Sequence, residues 1–121
     1  MPDCLFCRIV AGEIPATVVD DADDTLAFRD VNPQAPTHVL VVPKRHIDDA
    51  DTVQAADGPV LAAMLLAAQR VARAEGVEAP GYRLVLNVGD DSGNSVPHLH
   101  LHLLGGRRMP WPPWAGEASV A

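Results

Sequence analysis

Positively charged side chains are scarce in this sequence of 121 residues. Nine lysines and arginines stand against 16 aspartates and glutamates, so the formal net charge is −7 at pH 7 with neutral histidines. Nucleic acids and anionic membranes are bound through basic patches, which this composition does not supply. We therefore expect neither a nucleic acid nor a membrane as a partner. A small anion would have to be held by histidines, backbone N–H groups and a few polar side chains.

Long hydrophobic segments are also missing. The longest apolar run covers 60–68, far short of the roughly 20 residues that cross a bilayer as a helix. The first residues contain neither the basic nor the apolar region of a secretory signal. These absences predict a cytoplasmic protein. The length of the chain fits a single domain, residues 1–121, in which 109–121, rich in proline and containing both tryptophans, forms an irregular tail.

Cysteine occurs only twice, as Cys4 and Cys7. In a reducing compartment, C-x-x-C spacing is typical of half a metal site or of a redox pair, and a structural disulfide is not expected. Two buried free thiols are a further interpretation. The sequence around the pair lacks a thioredoxin-like βαβ context, which argues against the redox pair.

Apolar periodicity predicts two helices. A short one contains the cysteines and ends at Gly12 and Pro15, and a long one begins at Asp57, has Pro59 in its first turn and ends at Gly76. The apolar residues of the long helix cover more than one face. This favours a homodimer that shares this helix over the alternative of one helix in a small, alanine-rich core.

Alternation of apolar residues and turn signals predicts about five strands. Together with the two helices they indicate an α+β domain with a mostly antiparallel sheet. The third strand is nearly uniformly apolar, as expected for a central strand covered on both faces. The predicted strands are 18–19 and 25–29, which form a hairpin, and Thr37–Pro43, 82–88 and 98–104.

Three of the five histidines, His98, His100 and His102, alternate with leucine in the last predicted strand. Because successive side chains of a strand point to opposite faces, the imidazoles would share one face and the leucines the other, buried face. Three interpretations follow from these residues alone. They are a solvated surface, a zinc site shared by the three imidazoles, and nucleophilic catalysis at phosphorus.

Groups that can stabilise charge on phosphoryl oxygens lie close to the histidine run. Ser95 and the backbone amides around Gly93 and Asn94 precede it, and Asn87 and His38 fall on neighbouring predicted strands. A phosphate ester or anhydride attacked by neutral imidazole needs such donors. Their presence favours the catalytic interpretation.

Residues 98–104 resemble, at every position, the His-φ-His-φ-His-φ-φ signature of the histidine triad (HIT) family, in which φ is apolar. The resemblance implies the HIT fold, a homodimer that shares sheet and long helix, and a nucleotide hydrolase or transferase. Such enzymes act at the α-phosphate of AMP-type substrates, phosphoramidates included. Segments over nearly the whole chain resemble the Hint branch of the family, namely 14–16, 28–30, 32–38, 43–46, 81–83 and 105–107.

The resemblance implies a role for each matching residue. His100 is expected to be the nucleophile that becomes nucleotidylated, with His102 and His38 beside the phosphate. Asp30 is expected to hold the ribose hydroxyls, with a simple turn carboxylate as the alternative. The remaining expected contacts are Asn87, Gly93, Asn94 and Ser95 for phosphate or ribose, Ile14, Phe28 and Leu40 around a purine base, and Trp111 approaching across the dimer.

Asn94 departs from the family pattern, because many members have glutamine at this place, which meets the leaving group. The resemblance therefore does not define the leaving group. A dinucleoside polyphosphate hydrolase of the Fhit kind is an alternative enzyme, and a non-catalytic module that binds a nucleotide or a partner is an alternative of another class. The joint presence of the triad with His38, Asn87 and Ser95 favours catalysis.

Two histidines have no catalytic role in this assignment, His46 and His98. With Cys4 and Cys7 they complete a Cys2His2 set, which suits a structural zinc ion. Some HIT proteins and the related galactose-1-phosphate uridylyltransferases carry zinc on ligands of this kind. The hypothesis is a zinc ion that pins the N-terminal segment to the sheet, while the chemistry itself requires no cofactor.

Overall fold

The computed structural model describes residues 4–113; Trp114 and the rest of the predicted tail lie outside the described residues. The predicted α+β class and the antiparallel sheet of five strands with two helices are confirmed. Neither helix of the described part is long and apolar enough to cross a membrane. The elements are α1 (Leu5–Val10), β1 (Val18–Asp21), β2 (Thr25–Arg29), β3 (Thr37–Pro43), α2 (Gly58–Glu75), β4 (Arg83–Leu86) and β5 (Leu101–Gly105), with three short 3₁₀ turns.

The sheet has the strand order β1-β2-β3-β5-β4, and all neighbouring strands are antiparallel. Strand β3 lies between β2 and β5, and all its residues are buried, as its uniformly apolar sequence predicts. The sheet is therefore covered on both faces at its centre. Strand β4 forms one edge of the sheet.

Each face of the sheet has its own hydrophobic core. Alternate side chains such as Val39, Val41 and Leu103 pack with Met64 and the other buried residues of α2. The intervening side chains, among them Leu40, pack with α1 in a second cluster. The predicted burial of the leucines that alternate with the histidines is confirmed. Because α1 is short, its side of the sheet is the less covered one.

Both helices begin and end where local sequence signals predict. The Cys4 Sγ caps α1 by accepting a hydrogen bond from the Cys7 N–H at 3.3 Å. Asp57 precedes α2, although its carboxylate bonds to the Gln54 N–H and to Arg45 and not to the amides of the helix. Gly76 ends α2 with φ 73°, a left-handed conformation that favours glycine.

The predicted strand 98–104 is only partly correct. Pairing with β3 begins at Leu101, opposite Val41, so His98 and His100 precede the strand. The reason is that the Leu99 N–H donates to the Ile47 carbonyl at 2.6 Å, which carries the backbone away from β3. The predicted strand 82–88 is likewise shorter, Arg83–Leu86.

Candidate active site

A cleft of about 360 Å³ opens on the α1 side of the sheet. One end of it is polar and the rest of its wall is mainly apolar, which suits a ligand with one charged and one hydrophobic part. The polar end contains Asp30, Ser95, His100 and His102, and Arg29 also borders the cleft. The apolar wall contains Leu5, Phe6, Ile9, Ile14, Pro15, Ala16, Phe28, Val31, Leu40 and Val96.

Most of the predicted site residues meet at this cleft. His100, His102, Asp30, Ser95 and the three residues expected around the base all line it. His38 does not line the cleft but lies directly behind His102, with 5% of its surface exposed.

Four predicted contacts lie outside the cleft lining. Asn87, Gly93 and Asn94 are among them. Trp111 is 79% exposed, and its ring centroid lies 5.9 Å from the guanidinium carbon of Arg83. Within one chain Trp111 therefore lies beside the start of β4 and does not line the cleft.

The hydrogen bonds of His100 define which ring nitrogen is free. Its Nδ1 lies 2.6 Å from the His98 carbonyl, and since a carbonyl only accepts, Nδ1 carries the proton. The Nε2 of neutral His100 then keeps its lone pair. The ring is 9% exposed and packs edge to face with Phe6, at 5.1 Å between centroids. The result is an oriented imidazole in the cleft lining whose free Nε2 is able to act as a nucleophile.

A second chain of hydrogen bonds defines the tautomers of His38 and His102. The Gln34 N–H donates to His38 Nδ1 at 3.0 Å, so the proton of neutral His38 is on Nε2. That group donates to His102 Nδ1 at 2.9 Å. The proton of His102 is consequently on Nε2, where it can be donated to an anionic group in the cleft. Asp30 Oδ2 lies 3.4 Å from His38 Nε2.

Burial makes both of these histidines neutral hydrogen-bonding groups. The pKa of His102 is lowered to about 4, first by burial and then by the neighbouring His100 and His38, while Asp30 acts in the opposite direction. The pKa of His38 is also lowered by burial, against the opposing effect of Asp30. At neutral pH they contribute N–H dipoles and no net charge.

The predicted metal ligands converge at the N-terminal end of α1. They form the Cys/His cluster of Cys4, Cys7, His46 and His98. His98 Nδ1 lies 3.2 Å from Cys4 Sγ, 3.4 Å from Cys7 Sγ and 3.2 Å from His46 Nδ1. Cys7 Sγ is 3.2 Å from His46 Nδ1. Two sulfurs and two imidazole nitrogens at these distances match a closed tetrahedral site of the kind that holds structural zinc.

The second partners of the two imidazoles agree with this role. The Nε2–H of His46 donates to Asp48 Oδ1 at 2.7 Å, and the Nε2–H of His98 donates to the Pro43 carbonyl at 2.9 Å. Both Nδ1 lone pairs are thereby directed into the cluster, as is usual for metal-bound histidines.

The other group of potential ligands, Asp30, His38 and His102, does not fit a metal ion equally well. His38 accepts a hydrogen bond at Nδ1 and would have to bind a metal through the nitrogen that carries its proton. The hydrogen bonds therefore separate a cluster that suits a metal ion from a hydrogen-bonded histidine pair.

Sequence reasoning missed three groups that shape these sites. Phe6 packs on His98 and His100 and borders the cleft, Asp48 orients His46, and the backbone of Gln34 orients His38. Only Phe6 could have been found from the sequence, because it is an aromatic residue of the predicted short helix and lies between the two cysteines. The other two depend on loop conformation.

We predict that the free energy of unfolding falls as the pH is lowered from about 6.5 towards 4. The folded chain holds His102 with a pKa of about 4, whereas an unfolded histidine titrates near 6.5, so protonation favours the unfolded state. The contribution of neutral His102 to the free energy of unfolding is complete above about pH 6.5 and is lost as the pH falls towards about 4. Urea titrations at several pH values measure this dependence.

The His102→Asn variant is the control for this pH dependence. It removes the titrating group, so its unfolding free energy should change less steeply over the same pH range. Equal slopes in the parent and variant proteins would show that His102 does not contribute.

Comparison with known proteins agrees with this fold and site. The HIT domain model matches residues 11–109. A 14 kDa zinc-binding protein of Zea mays is 47% identical over 90% of this chain and 86% of its own. A HIT family hydrolase from Legionella pneumophila is 55% identical, with a TM-score of 0.90 over 92% of this chain and 99% of its own.

A more distant structure, a histidine triad nucleotide-binding protein from Candida albicans, is 25% identical, with a TM-score of 0.78 over 98% of this chain and 92% of its own. The family match spans most of the chain and includes the two histidines that line the cleft. The chain therefore belongs to the HIT family.

Proposed function

We propose that this protein is a nucleotide hydrolase or transferase that cleaves at the α-phosphate of a purine nucleoside phosphoramidate or a related AMP conjugate. The observation that carries the proposal is the hydrogen bond from His100 Nδ1–H to the His98 carbonyl, which leaves Nε2 as a nucleophile in the cleft. The names of the Legionella hydrolase and the Candida nucleotide-binding protein support it.

In the first step, the His100 Nε2 lone pair forms a bond to the α-phosphorus. The bond from phosphorus to the leaving nitrogen or oxygen breaks, and the leaving group takes up a proton from solvent. In the second step, water adds to phosphorus, the bond to His100 breaks, and AMP and free imidazole are released with loss of the water proton. Splitting hydrolysis in this way replaces one difficult displacement by two easier ones.

The neighbouring groups bind and orient the nucleotide. The Nε2–H of His102 and the hydroxyl of Ser95 are placed to donate to phosphoryl oxygens, where charge develops. Asp30 is the carboxylate available for ribose hydroxyls. Phe28 and Leu40, in the apolar wall, would contact the base.

We further propose that the Cys/His cluster binds a structural zinc ion. Its donor set and the second partners of His46 and His98 fit that ion, and the name of the maize relative supports it. The ion would supply a fixed cross-link between α1, the 46–48 segment and the residues before β5.

We also propose a homodimer. In the described part of the chain β4 is an edge strand with Leu84 and Leu86 exposed by 38% and 46%. Leu65 and Leu66 of α2 are exposed by 50% and 52%. The unpaired edge of β4 and the exposed apolar side chains of α2 suit contact with a second copy of the chain, which would bury both surfaces.

The His100→Ala variant should abolish turnover of an AMP-amidate, because no other neutral imidazole has its free nitrogen at this place. Intact-mass measurement after brief exposure to the substrate should detect one added nucleotidyl group on the parent protein and none on the variant. Calorimetry with AMP checks that the variant still binds nucleotide. Retained turnover in the variant would refute the assignment of the nucleophile.

Purified protein should contain about one zinc per chain, and Cys7→Ser should remove most of it, since three ligands hold a structural zinc poorly. Elemental analysis measures both. Arg8→Ala is the matched control, because Arg8 follows Cys7 on the exposed side of α1. Zinc below about a tenth of an equivalent in protein never exposed to chelator would disprove the proposal.

The parent protein should sediment as a dimer at micromolar concentration, and Leu86→Asp should shift it to the monomer because a buried unpaired charge is costly. Analytical ultracentrifugation measures the mass. Val31→Asp, at a side chain that is 99% exposed and distant from β4 in sequence, serves as control. A parent protein that sediments as a monomer would contradict the proposed homodimer.

A further inference from the structure

The backbone of His98 connects the Cys/His cluster to the cleft. Its side chain is 0% exposed and enters the cluster through Nδ1. Its carbonyl accepts a hydrogen bond from the Nδ1–H of His100, at 2.6 Å between nitrogen and oxygen. One residue thus belongs to the metal-binding cluster with its side chain and orients the nucleophile with its main chain.

We infer that the Cys/His cluster sets the rate of nucleophilic attack, with His98 and Phe6 as the positioning residues that transmit its geometry to His100. The inference rests on the proposed function, since it concerns the efficiency of the same nucleophile. It goes further by giving the cluster a role in the reaction and not only in stability.

The first route of transmission is the His98 carbonyl. Its direction depends on the backbone between Pro97 and Leu101, which lies outside the sheet. That segment is fixed by the Leu99 N–H to Ile47 carbonyl bond and by the His98 Nε2–H to Pro43 carbonyl bond. The other polar partners of the His98 ring are the members of the cluster, which lie against its Nδ1. If the cluster is open, the ring and the carbonyl can turn, and His100 loses the acceptor that holds its proton on Nδ1.

The second route is Phe6. It is 5% exposed and contacts both His98 and His100 edge to face, at 6.0 Å and 5.1 Å between centroids. Its helix α1 has only six residues, too few to be stable alone. Cys4 caps the helix and Cys7 lies in its first turn, so the cluster holds α1, and α1 holds Phe6 against the nucleophile.

Small errors in the position of a nucleophile have large kinetic effects, since a displacement near 1 Å can cost about a hundredfold in rate. Part of the apolar wall lies on α1, but the groups proposed to bind the nucleotide, namely Asp30, Ser95, Phe28 and Leu40, lie outside α1 and none is a cluster ligand. An open cluster should therefore slow attack much more than it weakens binding.

The test compares Asp48→Asn and Cys7→Ser with the parent protein. Asp48 lies outside the cleft, its side chain is 61% exposed, and it bonds to His46 Nε2–H. An amide oxygen in its place accepts this bond more weakly than a carboxylate, and mutation of such a second partner typically lowers metal affinity by about 10-fold to 100-fold. Asp48→Asn at limiting zinc should therefore be partly loaded and remain folded. If Cys7→Ser fails to fold, the Asp48→Asn variant still allows the inference to be tested.

Three quantities are measured at one fixed pH: zinc per chain, the rate of nucleotidyl adduct formation in a single turnover, and the His100 tautomer by long-range ¹H–¹⁵N NMR. The adduct rate should fall by about tenfold or more as zinc is lost, while AMP affinity changes by less than about threefold. The Nδ1–H tautomer should lose population in parallel. Adding zinc to Asp48→Asn should restore both, and Arg8→Ala should alter neither.

An adduct rate and a His100 tautomer that stay unchanged while zinc is lost from folded protein would overturn the inference. Failure of the proposed function has a different signature. In that case the parent protein forms no adduct at any zinc content, and the NMR comparison still decides whether the cluster controls His100.

Discussion

The site depends on the path of four residues, from Pro97 to His100, before the chain joins the sheet at Leu101. Within this segment the His98 side chain enters the Cys/His cluster, and the His98 carbonyl accepts a hydrogen bond from His100 Nδ1–H. The hydrogen bond between the Leu99 amide and the Ile47 carbonyl replaces one ladder bond and redirects the chain. A short, irregular segment therefore connects the Cys/His cluster to the cleft.

A net charge of −7 is unfavourable for the phosphate that the proposed function would place in the cleft. The cleft compensates by local means, since His38 and His102 are neutral and aligned as N–H dipoles. Neutral donors fixed before the ligand arrives need no reorganisation during the reaction, which is the condition for effective electrostatic stabilisation. They also leave His100 without a fully charged imidazolium beside it.

Much of the architecture was predictable because local signals and long-range packing agree. The uniformly apolar β3 occupies the centre of the sheet, and Gly76 ends α2 in the conformation that glycine favours. Residue types and numbers predicted the short helix beside the two cysteines. They also predicted, together with the roles that the HIT resemblance gave to the other histidines, the four residues of the Cys/His cluster. The predicted strand 98–104 was wrong at its start because alternation continues through residues whose amides bond to a loop. Within one chain Asn87 does not line the cleft, since its placement depends on how β4 packs. The approach of Trp111 across a dimer stays a prediction.

The sequence by itself determined the residue types available for chemistry, namely one dense run of histidines, two thiols and an acidic surface, together with the alternation that buries the leucines. Residue types and spacing alone left open how the three histidines divide their roles, and only the resemblance to the HIT family predicted the division. The tertiary structure decided that His98 joins the cluster, His100 keeps a free Nε2, and His102 receives its tautomer from Gln34 through His38. The physical reason is that an imidazole has two nitrogens, and its chemistry follows from whichever partner occupies the other one.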